Sequence, residues 1–185
     1  MTQTIVWKGL MYPSMECCCI AYGESGITVR GTIVGCTEGQ PFNIDYAIDL
    51  QANRQVGSFS IQNNLSPELD LQTFVTDDNG NWYNSADDTI VAESCEAIDI
   101  SLTPFTNTLA IRKLSLQPGE TGTIKVLYVD VQACKLYATA QHYTRLTEDT
   151  YRFSTEDGSF AADITVDSDM TVTYYKQLFE RVSCG

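Results

Sequence analysis

Histidine is almost missing from this chain: His142 is the only one. Any Ser-His-Asp or Cys-His arrangement would have to use it. Along its strand it alternates in register with Ala138, Ala140 and Leu146, which points it inward. A lone histidine on such a face is more often a hydrogen-bonded packing residue than a catalyst. Cations are scarce as well. Eleven lysines and arginines stand against 24 acidic residues, for a formal net charge of -13. Phosphate contacts need clustered Lys and Arg, so this balance excludes a nucleic-acid partner and charge-driven docking on an anionic membrane. The acidity itself reads as solubility. No apolar run approaches the roughly 20 residues that span a bilayer, so no membrane span is expected. There is no glycine-rich phosphate loop and no GxSxG elbow.

The cysteines lack the spacing of a metal site. There are seven, and no two form a CxxC pair, so no metal is expected. Cys17, Cys18 and Cys19 are consecutive; on a strand the outer two share a face and Cys18 opposes them. Small buried hydrophobes are the better reading. The first ten residues, MTQTIVWKGL, lack a basic region followed by an apolar stretch and a cleavage site, so no signal peptide is expected there. With an odd cysteine count, this predicts reduced thiols and a cytoplasmic location.

What is present is β-pattern. A chain of 185 residues, 43% hydrophobic and 19% charged, fits a single domain over 1–185 that buries its core without staples. The cleanest signal is residues 42–50: Phe42, Ile44, Tyr46, Ile48 and Leu50 on one face, Asn43, Asp45, Ala47 and Asp49 on the other. That is the period-2 mark of a half-buried strand. Further strands are read at 4–10, 16–22, 26–36, 56–62, 69–75, 123–131, 135–146, 151–154, 160–166 and 170–174. Asp78-Asn79-Gly80 is a hairpin turn. Residues 84–96 are polar and fit either a short helix or an irregular loop. Only 175–182, with Leu178 and Val182 four apart, has helical spacing. About a dozen antiparallel strands with little helix make a sandwich, a barrel or a strongly curled sheet.

Residues 99–114, DISLTPFTNTLAIRKL, organise the rest. They read as a strand up to Leu102, a break at Pro104, a turn at Thr106-Asn107-Thr108, and a second strand through Leu109, Ile111 and Leu114. Arg112 lies inside that second run, and Arg145 lies inside the similar run HYTRL. A guanidinium is seldom buried unless paired. Two readings stand: an ion pair to Asp99 or a neighbouring acid, or a planar donor fork for an anionic or hydroxyl-rich headgroup. Counting across a reversal at 104–107 sets Arg112 opposite Asp99, with Arg145 close by. Ten tyrosines and two tryptophans add flat amphipathic surface suited to sugars or acyl chains. Asp45, Glu96 and Asp99 are the carboxylates a glycosidase would draw on, but in so acidic a chain such pairs arise by chance.

The 99–114 stretch resembles the central signature of the putative glycolipid-binding family, mostly bacterial proteins of about this length. QHYTRL at 141–146, Tyr151-Arg152-Phe153, FAADITVD at 160–167 and Leu178-Phe179-Glu180-Arg181-Val182 agree with it. Trp7, Leu10, Pro13, Glu16 and the strand ending at Gly35 agree more loosely. Ala110 and Lys176 depart from it, standing where the family often has proline, and the cysteine triplet is outside the pattern. The resemblance implies a mainly β fold: a spiral β-roll, one strongly curled antiparallel sheet wrapped around a single short helix, like the carriers of bacterial lipoproteins. It also implies a homodimer, glycolipid binding, no enzymatic activity and no cofactor. The expected function is non-catalytic binding of a glycolipid or other acyl lipid in the concave interior of the roll. The alternative is a structural or interaction protein with a solid core, acting through dimerisation. The candidate ligand-binding residues are Arg112, Arg145, Asp99, Asn107, Tyr143 and Trp7; no catalytic residue is assigned.

Overall fold

The computed structural model describes residues 1–65 and 71–182. The described residues fall into two compact units, one within 1–94 and the other within 95–181, with Val182, the last residue of the final strand, grouped with the first. The fold class is the expected one: mainly β and predominantly antiparallel, with one short helix among the described residues.

The first unit is an antiparallel meander of β1 (Thr2–Gly9), β2 (Ser14–Tyr22), β3 (Gly26–Thr37), β4 (Gln40–Gln51), β5 (Val56–Asn63), β6 (Gln72–Thr76), β7 (Trp82–Asn84) and β8 (Ile90–Ala92). Each strand pairs with the next. The alternation read at 42–50 is the burial pattern of β4, with Phe42, Ile44, Tyr46, Ile48 and Leu50 all buried. Register lines these up with Ile33 and Val29 on β3 and with Phe59 and Ile61 on β5, so one face becomes a continuous apolar layer. Phe59 stacks on Phe74 at 4.8 Å and meets Trp82 edge-on at 5.3 Å. Burying a side chain of this size contributes about 1.5–3 kcal/mol. The opposite face is polar and cross-linked: Asp49 accepts from Thr28 (2.9 Å) and Ser58 (3.3 Å), and Asp45 accepts from Thr32 (2.7 Å) and Asn64 (2.6 Å). Cys18 is buried and Cys17 exposed on opposite faces of β2, as alternation requires. In the strand expected at 69–75, residues 69 and 70 lie outside the described residues, Leu71 precedes the strand, and β6 covers 72–75. The ambiguous stretch at 84–96 holds β8 and turns closed by Asn84 and Asp87.

The second unit holds β9 (Ala97–Ile100), α1 (Phe105–Leu114), β10 (Thr121–Asp130), β11 (Lys135–Arg145), β12 (Thr150–Thr155), β13 (Ala161–Val166), β14 (Val172–Tyr175) and β15 (Phe179–Val182). From β10 onward, successive strands are antiparallel; β9 pairs with β10 in parallel. Parallel neighbours need a crossover rather than a hairpin. That crossover is α1, so the second strand expected at 109–114 is a helix and the reversal at 104–107 does not exist. Thr103 Oγ1 accepts the Phe105 N–H at 3.0 Å, and Pro104, at φ -77, enters the helix with no donor to lose. Ser115, at φ 48, ends it, and its N–H bonds the Ile111 carbonyl. Arg112 and Lys113 in the last turn suit the negative end of the helix dipole. The helix expected at 175–182 is instead a turn and β15: Leu178 bonds back to the Tyr175 carbonyl, and Phe179 pairs with Tyr175.

Aspartates close several hairpins. Asp77 Oδ1 accepts the N–H groups of Asn79 and Asn81 at 2.9 Å each, and Asp167 Oδ1 those of Asp169 and Thr171 at 3.0 Å each. Asp157 accepts the Ser159 N–H and the Thr155 hydroxyl, bonds that hold its carboxyl down at about 2.

Two glycines on β3 make room for aromatic rings from β4. A Cβ on Gly31 would lie 2.1 Å from Tyr46 Cε1, and one on Gly35 2.5 Å from Phe42 Cζ. Tyr46 is locked in place, because its hydroxyl donates to the buried Glu16 at 2.5 Å. Gly31→Ala is therefore expected to cost about 1–3 kcal/mol through overpacking. Denaturant unfolding checks this. Wild-type stability in that variant would mean that the Tyr46 ring can move aside.

Candidate functional site

The helix fixes the site. Seven consecutive residues of α1, Phe105 to Ile111, are buried, three of them polar: Thr106, Asn107 and Thr108. Buried polar groups must be bonded. Thr108 Oγ1 accepts the Val172 N–H at 3.3 Å, tying the helix to β14. Thr106 Oγ1 donates to Asp99 Oδ1 at 2.9 Å and accepts the Ile100 N–H at 3.2 Å, tying the first turn to β9. Asn107 Nδ2 donates to the Tyr143 hydroxyl at 3.0 Å. Tyr143 then donates to Gln141 Oε1 at 3.2 Å, and Gln141 Nε2 donates to Asp99 Oδ2 at 2.6 Å. Every donor in this chain points toward Asp99, the terminal acceptor. Hydrogen bonds arranged head to tail polarise one another, and each is stronger away from water.

Asp99 is 8% exposed. Burial pushes its carboxyl above the usual range, while the hydrogen bonds from Gln141 and Thr106 pull the other way. Burial, and then the Asp99 charge, raise the Tyr143 phenol. Tyr128 is raised by burial and by Asp99 and Asp130, and Tyr175 by burial and by Tyr143, Asp99 and Tyr128. Three phenols therefore gather around one carboxyl. Tyr175 is 3% exposed, and no described residue is seen to hydrogen-bond its hydroxyl, which is not among the fully buried polar atoms and so keeps contact with solvent. An aromatic wall continues outward. Phe153 meets Tyr143 at 5.3 Å, Phe160 at 6.0 Å and Tyr175 at 6.1 Å; Tyr175 meets Phe179 at 6.3 Å, and Tyr128 meets Tyr137 at 5.3 Å. Phe160, Leu178 and Phe179 are half-buried and Tyr137 is exposed, so this wall runs from the core to solvent.

Of the expected residues, Asp99, Asn107 and Tyr143 come together. Arg112 lies at the far end of the helix. Its Nε and Nη2 bond the Asp169 carbonyl at 3.0 and 2.5 Å, and Nη2 reaches Thr171 at 3.4 Å. The expected Arg112–Asp99 pairing gives way to the Thr106 and Gln141 bonds, because the hairpin on which it was counted is a helix. Arg145 grips three carbonyls, Leu116 at 2.8 Å, Thr147 at 3.2 Å and Glu148 at 2.5 Å, with its cation 5.5 Å above the Tyr151 ring. These contacts brace the β11–β12 turn and the segment after α1. Trp7 is fully buried in β1 of the first unit. His142 faces away from the core, bonded to Thr123 at 2.8 Å; the inward parity of β11 belongs to Gln141 and Tyr143.

Gln141, Thr106, Tyr128 and Tyr175 are the members that sequence reasoning missed. Strand parity counted from Tyr143 would have found Gln141 two residues away. The first unit has an open groove of about 410 Å³ between the ends of its hairpins, lined by Tyr22, Gly26, Thr28, Asp49 and Gln51; its carboxylate is the one already bonded by Thr28 and Ser58. Among the described residues no cluster of three or more His, Cys, Asp or Glu could hold a metal, and no helix is long and apolar enough to cross a membrane.

A carboxyl whose folded pKa is raised holds its proton more tightly folded than unfolded. Its contribution to stability is then greatest at low pH and falls as pH rises from the ordinary aspartate range through its raised value. Relative to Asp99→Asn, which removes this titration and exchanges one acceptor for a donor at a cost that does not vary with pH, wild type should lose melting temperature as pH rises from 3.5 to 7. A difference that is flat, or that grows with pH, would contradict the burial of an ionising Asp99.

No match to a curated protein was found. Among solved structures, the crystal structure of a DUF1089 family protein from Pseudomonas aeruginosa is similar over 91% of this chain and 92% of that one, with a TM-score of 0.78 and 27% identity. The family model described as "Putative glycolipid-binding" matches residues 4–181. The chain therefore belongs to that family, which is described by binding rather than by a reaction.

Proposed function

We propose that the protein binds a glycolipid or related acyl lipid without chemistry, on the inner face of the second unit. The observation that carries this is the Tyr175 hydroxyl: it lies in the electrostatic reach of Asp99, its ring packs on Phe153, Phe160 and Phe179, and it has no hydrogen bond from a described residue while keeping contact with solvent. A sugar supplies hydroxyls for Tyr175 and Asp99 and a flat face for an aromatic ring. The alkyl portion would run along Phe153, Phe160, Leu178 and Phe179. An anionic headgroup would meet the Asp99 carboxylate, and Arg112 and Arg145 are engaged on backbone carbonyls. The headgroup is accordingly a neutral one. Asp99, Asn107 and Tyr143 are retained as ligand-facing, while Arg112, Arg145 and Trp7 hold the two units in shape.

The homodimer implied by the family resemblance belongs to the same reading. The run 123–131, whose few charges suggest either a covered edge or a subunit contact, lies within β10 for most of its length and is covered by β9 and β11, the first of those alternatives. The cysteines described are free thiols, which suits a cytoplasmic protein.

Organic extraction of the purified protein, followed by mass spectrometry, is expected to recover a neutral glycolipid. Tyr175→Phe should leave the melting temperature within about 2 °C, since the lost hydroxyl has no protein partner, yet lower lipid retention by about fivefold or more, the scale of one hydrogen bond. Lipid-free wild-type protein, or full retention by Tyr175→Phe, overturns this site. Light scattering at micromolar concentration that gives a monomer overturns the dimer.

A further inference from the structure

The loop between β1 and β2, residues 10–13, reads Leu-Met-Tyr-Pro. Hairpin tips are ordinarily built from Gly, Asn, Asp and Ser, because these satisfy turn geometry and face water. Here Leu10 is 38% exposed and Met11 50%. The apolar surface continues onto the outer face of the adjoining strands. Met15 (42% exposed) and Val34 (48% exposed) are cross-strand partners on β2 and β3. Tyr12 is half-buried between them and solvent. The tip is also held firmly: the Pro13 carbonyl accepts the Cys36 N–H at 3.0 Å, and Gly9 closes so tightly that a Cβ there would meet Ser14 Oγ at 2.1 Å.

We propose that this tip docks the protein on the surface of an electrically neutral lipid bilayer, inserting Leu10 and Met11 among the headgroups. The inference rests on the lipid-binding reading, since a protein that carries a membrane lipid has to meet the membrane it is drawn from. A second copy of the chain fits less well. A stable dimer interface takes roughly 800 Å² and 20–30 residues from each partner, and a hairpin tip with one cross-strand pair falls far short of that. Shallow insertion needs only a few apolar side chains at the headgroup level, with an amphipathic ring such as Tyr12 beside them. The charge decides the kind of bilayer. At a net -13 the chain is repelled by anionic lipid. Within the first unit, the strand order brings two exposed charges to this end of the sheet: Lys8, in register with Met15, and Glu38 in the β3–β4 turn. One charge of each sign suits a zwitterionic headgroup.

The test is flotation of the full chain with phosphatidylcholine vesicles. Wild type is expected to float, and Leu10→Ser/Met11→Ser to lose about tenfold or more of its partition while keeping its melting temperature, because serine suits a turn. Leu146→Ser, which removes an exposed leucine of the second unit, should float as wild type does. Wild type that stays with the unbound protein, or a double variant that floats equally well, overturns the proposal. So does a double variant that floats but has halved its mass in light scattering, which would give the tip to a second copy. Lipid content, measured by extraction of the same preparations, separates the two readings. Protein that floats but carries no lipid supports docking and sinks the ligand site; protein that carries lipid but does not float overturns docking alone.

Discussion

A parallel strand pair cannot be closed by a tight turn, and the second unit depends on one such pair. Because β9 and β10 run the same way, the chain between them has to cross over, and α1 is the crossover. Much of the unit follows from that constraint. The helix lies against the inner face of its sheet and is buried on its polar side as well as its apolar one. Thr106, Asn107 and Thr108 then need partners, and they find them on β9, β11 and β14. Asp99 sits where the first helical turn meets β9, so its carboxylate also benefits from the positive end of the helix dipole.

The same constraint explains the arginines. Both lie at the ends of elements that have just left the sheet, where carbonyls are left without ladder partners. A guanidinium offers five donors in a planar fork, enough to collect two or three such carbonyls at once. Arg112 closes its fork on the Asp169 carbonyl and the Thr171 hydroxyl in the turn between β13 and β14, and Arg145 collects three carbonyls from the segment after the helix and the turn between β11 and β12. These two cations thus serve architecture and leave the proposed ligand face with a carboxyl, amides and phenols.

Where strands have one wet face, the sequence was legible: β4 could be read residue by residue, and the split of Cys17 and Cys18 between faces followed from parity alone. Legibility failed where that contrast disappears. A helix buried on all sides has no apolar stripe, and Leu109, Ile111 and Leu114 then pass for a strand. The one local signal was Thr103-Pro104, a capping hydroxyl followed by proline, and it was outweighed by the β-rich neighbourhood and by three poor helix formers. At 175–182 the error ran the other way, since a spacing of four between Leu178 and Val182 also arises when a turn precedes a short strand. Of the hydrogen-bonded cluster around Asp99, Asp99 itself, Asn107 and Tyr143 were named through the motifs that contain them. Gln141 was hidden because His142 had been given its face, and Tyr175 because no local pattern reports which phenols converge from distant strands.

The aspartates that close the hairpins change what the net charge means. Asp77, Asp157 and Asp167 each stand in for a missing backbone acceptor, which only an ionised or amide oxygen at that position can do. Part of the acidic excess is therefore built into the chain's geometry and is not a solubilising coat laid over it. Neutralising the surface by moving the isoelectric point upward through Asp→Lys exchange would loosen the loops that set the strand registers. A less acidic version of this fold would have to rebuild its turns with asparagine and glycine before it could give up its charge.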